Sequence, residues 1–248
     1  MKRRNFIRQS GLLTAGFLLH QQLLGATTLT ADKIISIGII GCGDRGTGIM
    51  KVMKELPDLY KVTAICDTLD FRLTNATKIQ AAKVYTNYLK LLEDKSIDAV
   101  VIATPLNLHF EIAKAALEAN KHVFLEKAMT HTIAQAIELT NITQKYPKQT
   151  LQVGHQYRSS PLYYKVKEMI KSGYLGKVTQ IDARWDRNWN WRRPVADPKL
   201  ERQINWRMYK EYSGGLAAEL LSHQIDFINW AFETQPDQII GSGGIDIF

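Results

Sequence analysis

Ile34-Ile35-Ser36-Ile37-Gly38-Ile39-Ile40-Gly41-Cys42-Gly43-Asp44-Arg45-Gly46 is the stretch whose reading decides the fold. An apolar run of this length that stops on GxGxxG reads as a buried parallel strand turning at once into a helix. Gly41 lets the turn close, Gly43 removes the side chain that would hold a pyrophosphate off the backbone, and Gly46 brings the helix against the strand. The helix N-terminus then offers free N–H groups to phosphates. Alone the motif is weak, because glycines also gather in ordinary turns.

Working outward, Lys61 to Cys66 reads as a second strand that delivers Asp67, 21 positions after Gly46. A carboxylate there accepts hydrogen bonds from the adenine-ribose hydroxyls and repels a 2′-phosphate, which favours NAD over NADP. Two alternatives stay open: Asp67 as the cap of a helix starting near Asp70, and NADP accommodated by Arg72. A helical pattern follows to about Lys83, then a short element at Val84 and Tyr85, and Ala99 to Ala103 makes a third buried strand. Thr104-Pro105 ends it, and a helix follows in which Ile112, Ala115, Ala116 and Leu117 share a face. His122 to Leu125 is a strand, Ile133 to Thr143 a helix, and Leu151 to Val153 a last short strand. This alternation is what a doubly wound parallel sheet requires, and it points to an α/β Rossmann-type domain over residues 31–154. After Gly154 the chain grows richer in Trp, Tyr and Arg, and a helix from Pro161 to Ser172 and a strand from Val178 to about Trp185 open a second domain, 155–248.

The 248-residue chain carries a formal net charge of +8, but Lys2, Arg3, Arg4 and Arg8 supply four of those charges. The mild remaining excess argues against nucleic acid as a partner. Residues 1–30 read as a targeting segment: a basic start, then an apolar run from Gly11 to Leu24 too short and interrupted to span a membrane comfortably. Arg3-Arg4-Asn5-Phe6-Ile7 resembles a twin-arginine export signal, implying delivery to the periplasm; an ordinary secretory signal and a retained membrane anchor are the alternatives. The two cysteines, Cys42 and Cys66, read as packing residues rather than a disulfide framework.

In an open parallel sheet, ligands sit beyond the carboxyl ends of the strands, which points to Thr104, Asn107, His109, Glu126 and Lys127. An ammonium at Lys127, beside a sugar hydroxyl and a cationic nicotinamide, has its pKa lowered and polarises the oxygen losing its proton; a solvated surface lysine is the plainer reading. Gly214-Gly215 precede a helix on which Glu219 and His223 lie four apart, on one face. The carboxylate can orient the imidazole, making His223 a general base near neutral pH. A surface ion pair is the simpler alternative, and no third ligand supports a metal.

Assembled, these residues resemble the Gfo/Idh/MocA oxidoreductase family, from about Lys33 to the last residue. Four matches carry the resemblance: Gly41-Cys42-Gly43-Asp44-Arg45-Gly46; Ala103-Thr104-Pro105 with His109; Lys121 to Lys127; and Gly214-Gly215 with Glu219 and His223. It implies Lys127 as the catalytic lysine and Glu219 and His223 as acid and base, with Gly41, Gly43, Arg45, Gly46, Asp67, Thr104, Asn107, His109 and Glu126 at the cofactor. Two departures stand out. Ala128 replaces the family's proline after the lysine, which frees a φ angle and lets the Lys127 backbone drift; Glu219 replaces its usual aspartate.

Gly154 to Arg158 resembles the family's entry into its second domain, making Tyr157 and Arg158 substrate contacts, with a surface or interface role the alternative for Arg158, and Trp189, within Arg184 to Arg193, part of an aromatic wall for a sugar or a subunit contact. Relatives carry a longer second domain with a large open-faced sheet. The apolar alternating run Ile239 to Phe248 therefore reads as a strand cut short, leaving an incomplete α+β domain and, where complete, a homo-oligomer. The expectation is an NAD-dependent oxidoreductase acting on a sugar. A glycosidase that oxidises its sugar transiently and a non-catalytic nucleotide-binding fragment are the alternatives.

Overall fold

The computed structural model describes residues 33–186 and 190–244. The proposed targeting segment and Trp189 lie outside the described residues. Six strands form one sheet in the order β3-β2-β1-β4-β5-β6: β1 Ile35–Ile40, β2 Tyr60–Cys66, β3 Lys83–Tyr85, β4 Ala99–Ile102, β5 His122–Leu125 and β6 Leu151–Val153. Every pairing is parallel. The order reverses between β1 and β4, and that reversal opens a crevice at the carboxyl edge of the sheet.

The two faces of the sheet bury two separate cores. Ile37, Ile39, Val62, Ile65 and Val101 pack with Met50 and Leu73 on one side, from α1 (Asp44–Lys54) and α2 (Asp70–Ile79). Ile40, Ala64, Cys66, Val100, Ile102, Val123 and Leu125 pack on the other with Phe110, Leu117 and Leu139. These come from α4 (His109–Glu118) and α5 (Ile133–Lys145), while α3 (Tyr88–Leu92) adds Leu91 and Leu92. Strict alternation would put Val62 and Ala64 on one face. A register shift pairs Ile37 with Val62 and Gly38 with Ala64, leaving Thr63 as an extra residue that exchanges the faces. The Thr63 hydroxyl then meets that of Ser36 at 2.7 Å.

α2 stops at Ile79, short of the expected Lys83, because Gln80 is extended and its side chain donates to the Val62 carbonyl. Beyond Val153 the chain leaves the sheet. α6 (Pro161–Lys171) packs against α8 (Ser222–Phe232) through Tyr163 on Phe227 and Tyr164 edge-on to Trp230, and the short α7 spans Glu201–Ile204. The strand expected from Val178 to Trp185 is not formed, and neither is the open-faced sheet among the described residues. A strand holds its shape only in a ladder, and no described residue after Val153 is in one. Residues 239–244 are likewise irregular, with Ile240 96% exposed.

Candidate functional site

The glycine loop sits at the crevice as a cradle shaped by steric exclusion. Gly41 has φ +94°, and a Cβ there would meet the Ala103 carbonyl oxygen at 2.6 Å. A Cβ on Gly46 would come within 1.9 Å of the Gly41 oxygen, so α1 can approach β1 only with glycine at that position. Gly43 differs: the nearest side-chain atom to its Cβ position is the Arg72 guanidinium carbon at 3.8 Å. It faces open space at the N-terminus of α1, which no side chain caps. The loop therefore leaves room for a pyrophosphate against free N–H groups.

Asp67 ends β2 with its carboxylate already engaged. Oδ2 accepts the Cys42 N–H at 2.7 Å and Oδ1 accepts the Leu69 N–H at 3.0 Å, with Arg72 3.8 Å away. It thus braces the glycine loop and turns the chain into α2, while each oxygen keeps a lone pair for a ribose hydroxyl. Both cysteines are free and buried. Burial, reinforced by the Asp67 charge, pushes each thiol up to about 12.

On the other side of the crevice, Thr104 Oγ1 and Asn107 Oδ1 are buried with no hydrogen-bond partner. Both residues line the cleft, and unpaired polar atoms there are ready for a ligand. Glu126 accepts from Arg45 Nε at 2.6 Å, so the two expected cofactor residues hold each other. His109 lies in the wall of the same cleft. It is 2% exposed, with Nδ1 2.8 Å from the Ala128 carbonyl oxygen and Nε2 3.2 Å from that of Thr104. Burial lowers its pKa, so the neutral ring donates its single N–H to one of these two carbonyls and ties the loop after β4 to the chain after β5. The same contact pins the residue that replaces the family's proline, so the drift expected after Lys127 is restrained.

Lys127 projects from the end of β5 and donates to the Glu219 backbone carbonyl at 2.7 Å, with Glu219 Oε2 at 3.5 Å. Its side chain is 13% exposed, and burial lowers its pKa against the opposing pull of Glu219. Glu219 also accepts from Arg207 Nε at 3.0 Å. This corrects the expected Glu219–His223 pairing: two cations claim the carboxylate, and the structure gives it no bond to the imidazole. Glu219 lies on a π-helical turn, Ala217–Leu221, that runs into α8. His223 is instead clasped between Trp185, stacked at 5.2 Å, and Tyr157 at 5.5 Å. Burial, then the Lys127 charge, brings its pKa down to about 4. At neutral pH it is an uncharged base.

Tyr157 and Arg158 are further corrections. Neither lines the cleft, since Tyr157 stacks on Tyr163 at 4.2 Å behind His223, and Arg158 forms a two-pronged pair with Asp226 at 2.7 and 2.9 Å. Arg207 was not legible from the sequence; the only signal was its position beside Trp206 a few residues before Gly214-Gly215. Among the described residues no group of His, Cys, Asp and Glu is arranged for a metal.

One cleft of about 1470 Å³ joins these parts, from Gly41, Gly43 and Asp67 through Thr104 and Asn107 to Lys127, Glu219 and His223. Its volume suits a dinucleotide together with a small molecule beside Lys127.

Comparison with known proteins agrees with this fold. Inositol 2-dehydrogenase of Salmonella typhimurium is 29% identical over 199 residues, 79% of this chain and 54% of its own. A glycosyl hydrolase family 109 protein of Shewanella amazonensis is 28% identical over an alignment of 253 positions, gaps included, that covers 89% of this chain and 55% of its own. The crystal structure of scyllo-inositol dehydrogenase from Lactobacillus casei with bound NAD(H) and scyllo-inositol matches with TM-score 0.63 and 25% identity, over 80% of this chain and 56% of that one. The chain thus spans about half the length of these relatives. The model of an oxidoreductase family with an NAD-binding Rossmann fold matches residues 35–155, and that of the GFO/IDH/MocA C-terminal domain matches residues 163–246. With both halves of one family pattern in order on a six-stranded dinucleotide-type sheet, the chain belongs to the Gfo/Idh/MocA oxidoreductase family.

Proposed function

We propose that the protein is an NAD-dependent oxidoreductase acting on a hydroxyl-bearing carbon of a sugar or sugar derivative. The observation that carries this reading is that Lys127, Glu219 and His223 line the same cleft as the glycine loop and Asp67, with Lys127 fastened to Glu219. When bound, the nicotinamide supplies the hydride acceptor. The neutral His223 imidazole takes the hydroxyl proton, and the Lys127 ammonium stabilises the oxygen as its charge develops. Glu219 and the Lys127 contact to its carbonyl hold that ammonium in place. Trp185 keeps the imidazole at one angle and excludes water from one face.

A second reading, transient oxidation within a net glycoside hydrolysis, is favoured by the likeness to the family 109 hydrolase. One experiment separates the two. The protein is incubated with NAD and either free sugars or aryl glycosides while NADH absorbance and aglycone release are followed. Net NADH supports the dehydrogenase, aglycone without net NADH supports the glycosidase, and neither on any substrate refutes both.

The reading extends to place and assembly. Arg3-Arg4-Asn5-Phe6-Ile7 supports twin-arginine export to the periplasm, since that route carries a protein already loaded with its nucleotide. Ile133 and Ile137, 81% and 60% exposed on α5, support a homo-oligomer. The change in composition at Gly154 supports a domain boundary there.

A further inference from the structure

Most cations along the cleft are matched one to one. Arg45 pairs with Glu126 at 2.6 Å, Arg193 with Asp44 at 2.9 Å, Arg202 with Glu211 at 2.9 Å, and Arg72 lies 3.8 Å from Asp67. The exception is at the reactive end, where Lys127 and Arg207 share the single carboxylate of Glu219. Arg207 is 44% exposed, and its guanidinium carbon lies 4.2 Å from the centroid of the Trp206 ring. That contact and the Glu219 bond restrict where the guanidinium can sit before any ligand arrives. Its Nε edge is used on Glu219, while both Nη amines donate to no other described residue. A planar fork with one edge anchored and the other unused, in a cleft-lining position, is the geometry that binds an oxyanion through parallel hydrogen bonds.

We propose that Arg207 determines substrate specificity, and that the sugar this cleft takes carries an oxyanion, a carboxylate or a phosphate, held by the Arg207 guanidinium. The proposal rests on the reading of the cleft as a sugar-oxidising site and narrows its substrate class. It accounts for the uneven charge. The added negative group completes a set of two cations and two anions around Lys127, where the protein alone provides two and one. It also offsets the influence of Arg207, which together with burial works against the Lys127 ammonium.

The test uses the full chain with saturating NAD and three probes: glucose, glucuronate and glucose 6-phosphate. Initial rates give KM and kcat, and quenching of tryptophan fluorescence gives affinity whether or not turnover occurs. Charge-assisted bonds of this kind are worth about a 10- to 100-fold difference in affinity. At least one anionic probe should therefore saturate at about tenfold lower concentration than glucose, and which one does so identifies carboxylate or phosphate. Arg207→Met should raise KM for that probe far more than for glucose and erase the preference; Arg207→Lys should restore part of it. If Arg207→Met does not fold, inorganic phosphate added to the wild type should compete with the anionic sugar. Equal affinity for glucose and both anions, or a preference that survives in Arg207→Met, overturns the proposal. NAD binding with turnover of glucose and no preference for either anionic sugar would leave the oxidoreductase reading standing while removing this one; failure to bind NAD would strike the reading itself.

Discussion

Lys127 Nζ lies 2.7 Å from the backbone carbonyl of Glu219, joining residues 92 positions apart and fastening the end of β5 to the turn that leads into α8. The amine is oriented by a backbone acceptor, which cannot rotate away as a side chain can. Removing the amine should therefore remove chemistry and leave the nucleotide site intact. Lys127→Met is expected to lower kcat about 10²- to 10⁴-fold with NAD affinity unchanged, measured by steady-state rates and by nucleotide titration. An equal loss of NAD affinity would place Lys127 in cofactor binding instead.

The lowered pKa of His223 has a definite sign. The folded protein keeps this imidazole neutral down to about pH 4, whereas the unfolded chain takes up its proton near 6.5. Its contribution to stability is whole above pH 6.5 and is lost as pH falls toward 4. Melting temperature should drop over that interval by more in wild type than in His223→Gln. The rate should show its acid limb near pH 4 rather than near 6.5, and a limb near 6.5 would mean that the ring titrates freely.

The glycines of the loop should separate folding from binding. Gly46→Ala puts a methyl group against the Gly41 oxygen and should cost about 3 kcal/mol or more, a fall of roughly 6–12 °C in melting temperature. Gly43→Ala meets nothing closer than Arg72, so it should melt as wild type does and bind NAD at least about tenfold more weakly. Calorimetry and nucleotide titration of the two variants check this contrast.

Cys42 and Cys66, with pKa values about 12 and no exposed sulfur, should be inert to a thiol-colouring reagent at pH 8 in the native state. Both should react once the chain is unfolded. Fast native labelling of either would mean that the glycine loop opens in solution.

The sheet was legible because its signals are local. The apolar run from Ile35 to Ile40, the glycines after it and the alternation of strands with helices are each set by neighbours in sequence. What stayed hidden depends on distant partners. The four-residue spacing of Glu219 and His223 suggested a pair, yet the carboxylate goes to Lys127 and Arg207, neither of which any helical period connects to it. His109 sat in a cofactor-like motif, and only its burial against Ala128 and Thr104 shows its backbone role. Val178 to Trp185 has strand-like residues without a strand to join. Arg158 reads as a substrate contact until α8 brings Asp226 to it.

The most direct test of the account is a rapid-mixing experiment on wild type and Lys127→Met, each saturated with NAD and mixed with sugars that include inositol, glucose and glucuronate. Wild type should show a burst of NADH absorbance with at least one sugar, stoichiometric with protein, and the variant, still binding NAD, should show none. An equal burst in Lys127→Met, or none from a wild-type protein shown to hold NAD and sugar together, would contradict it.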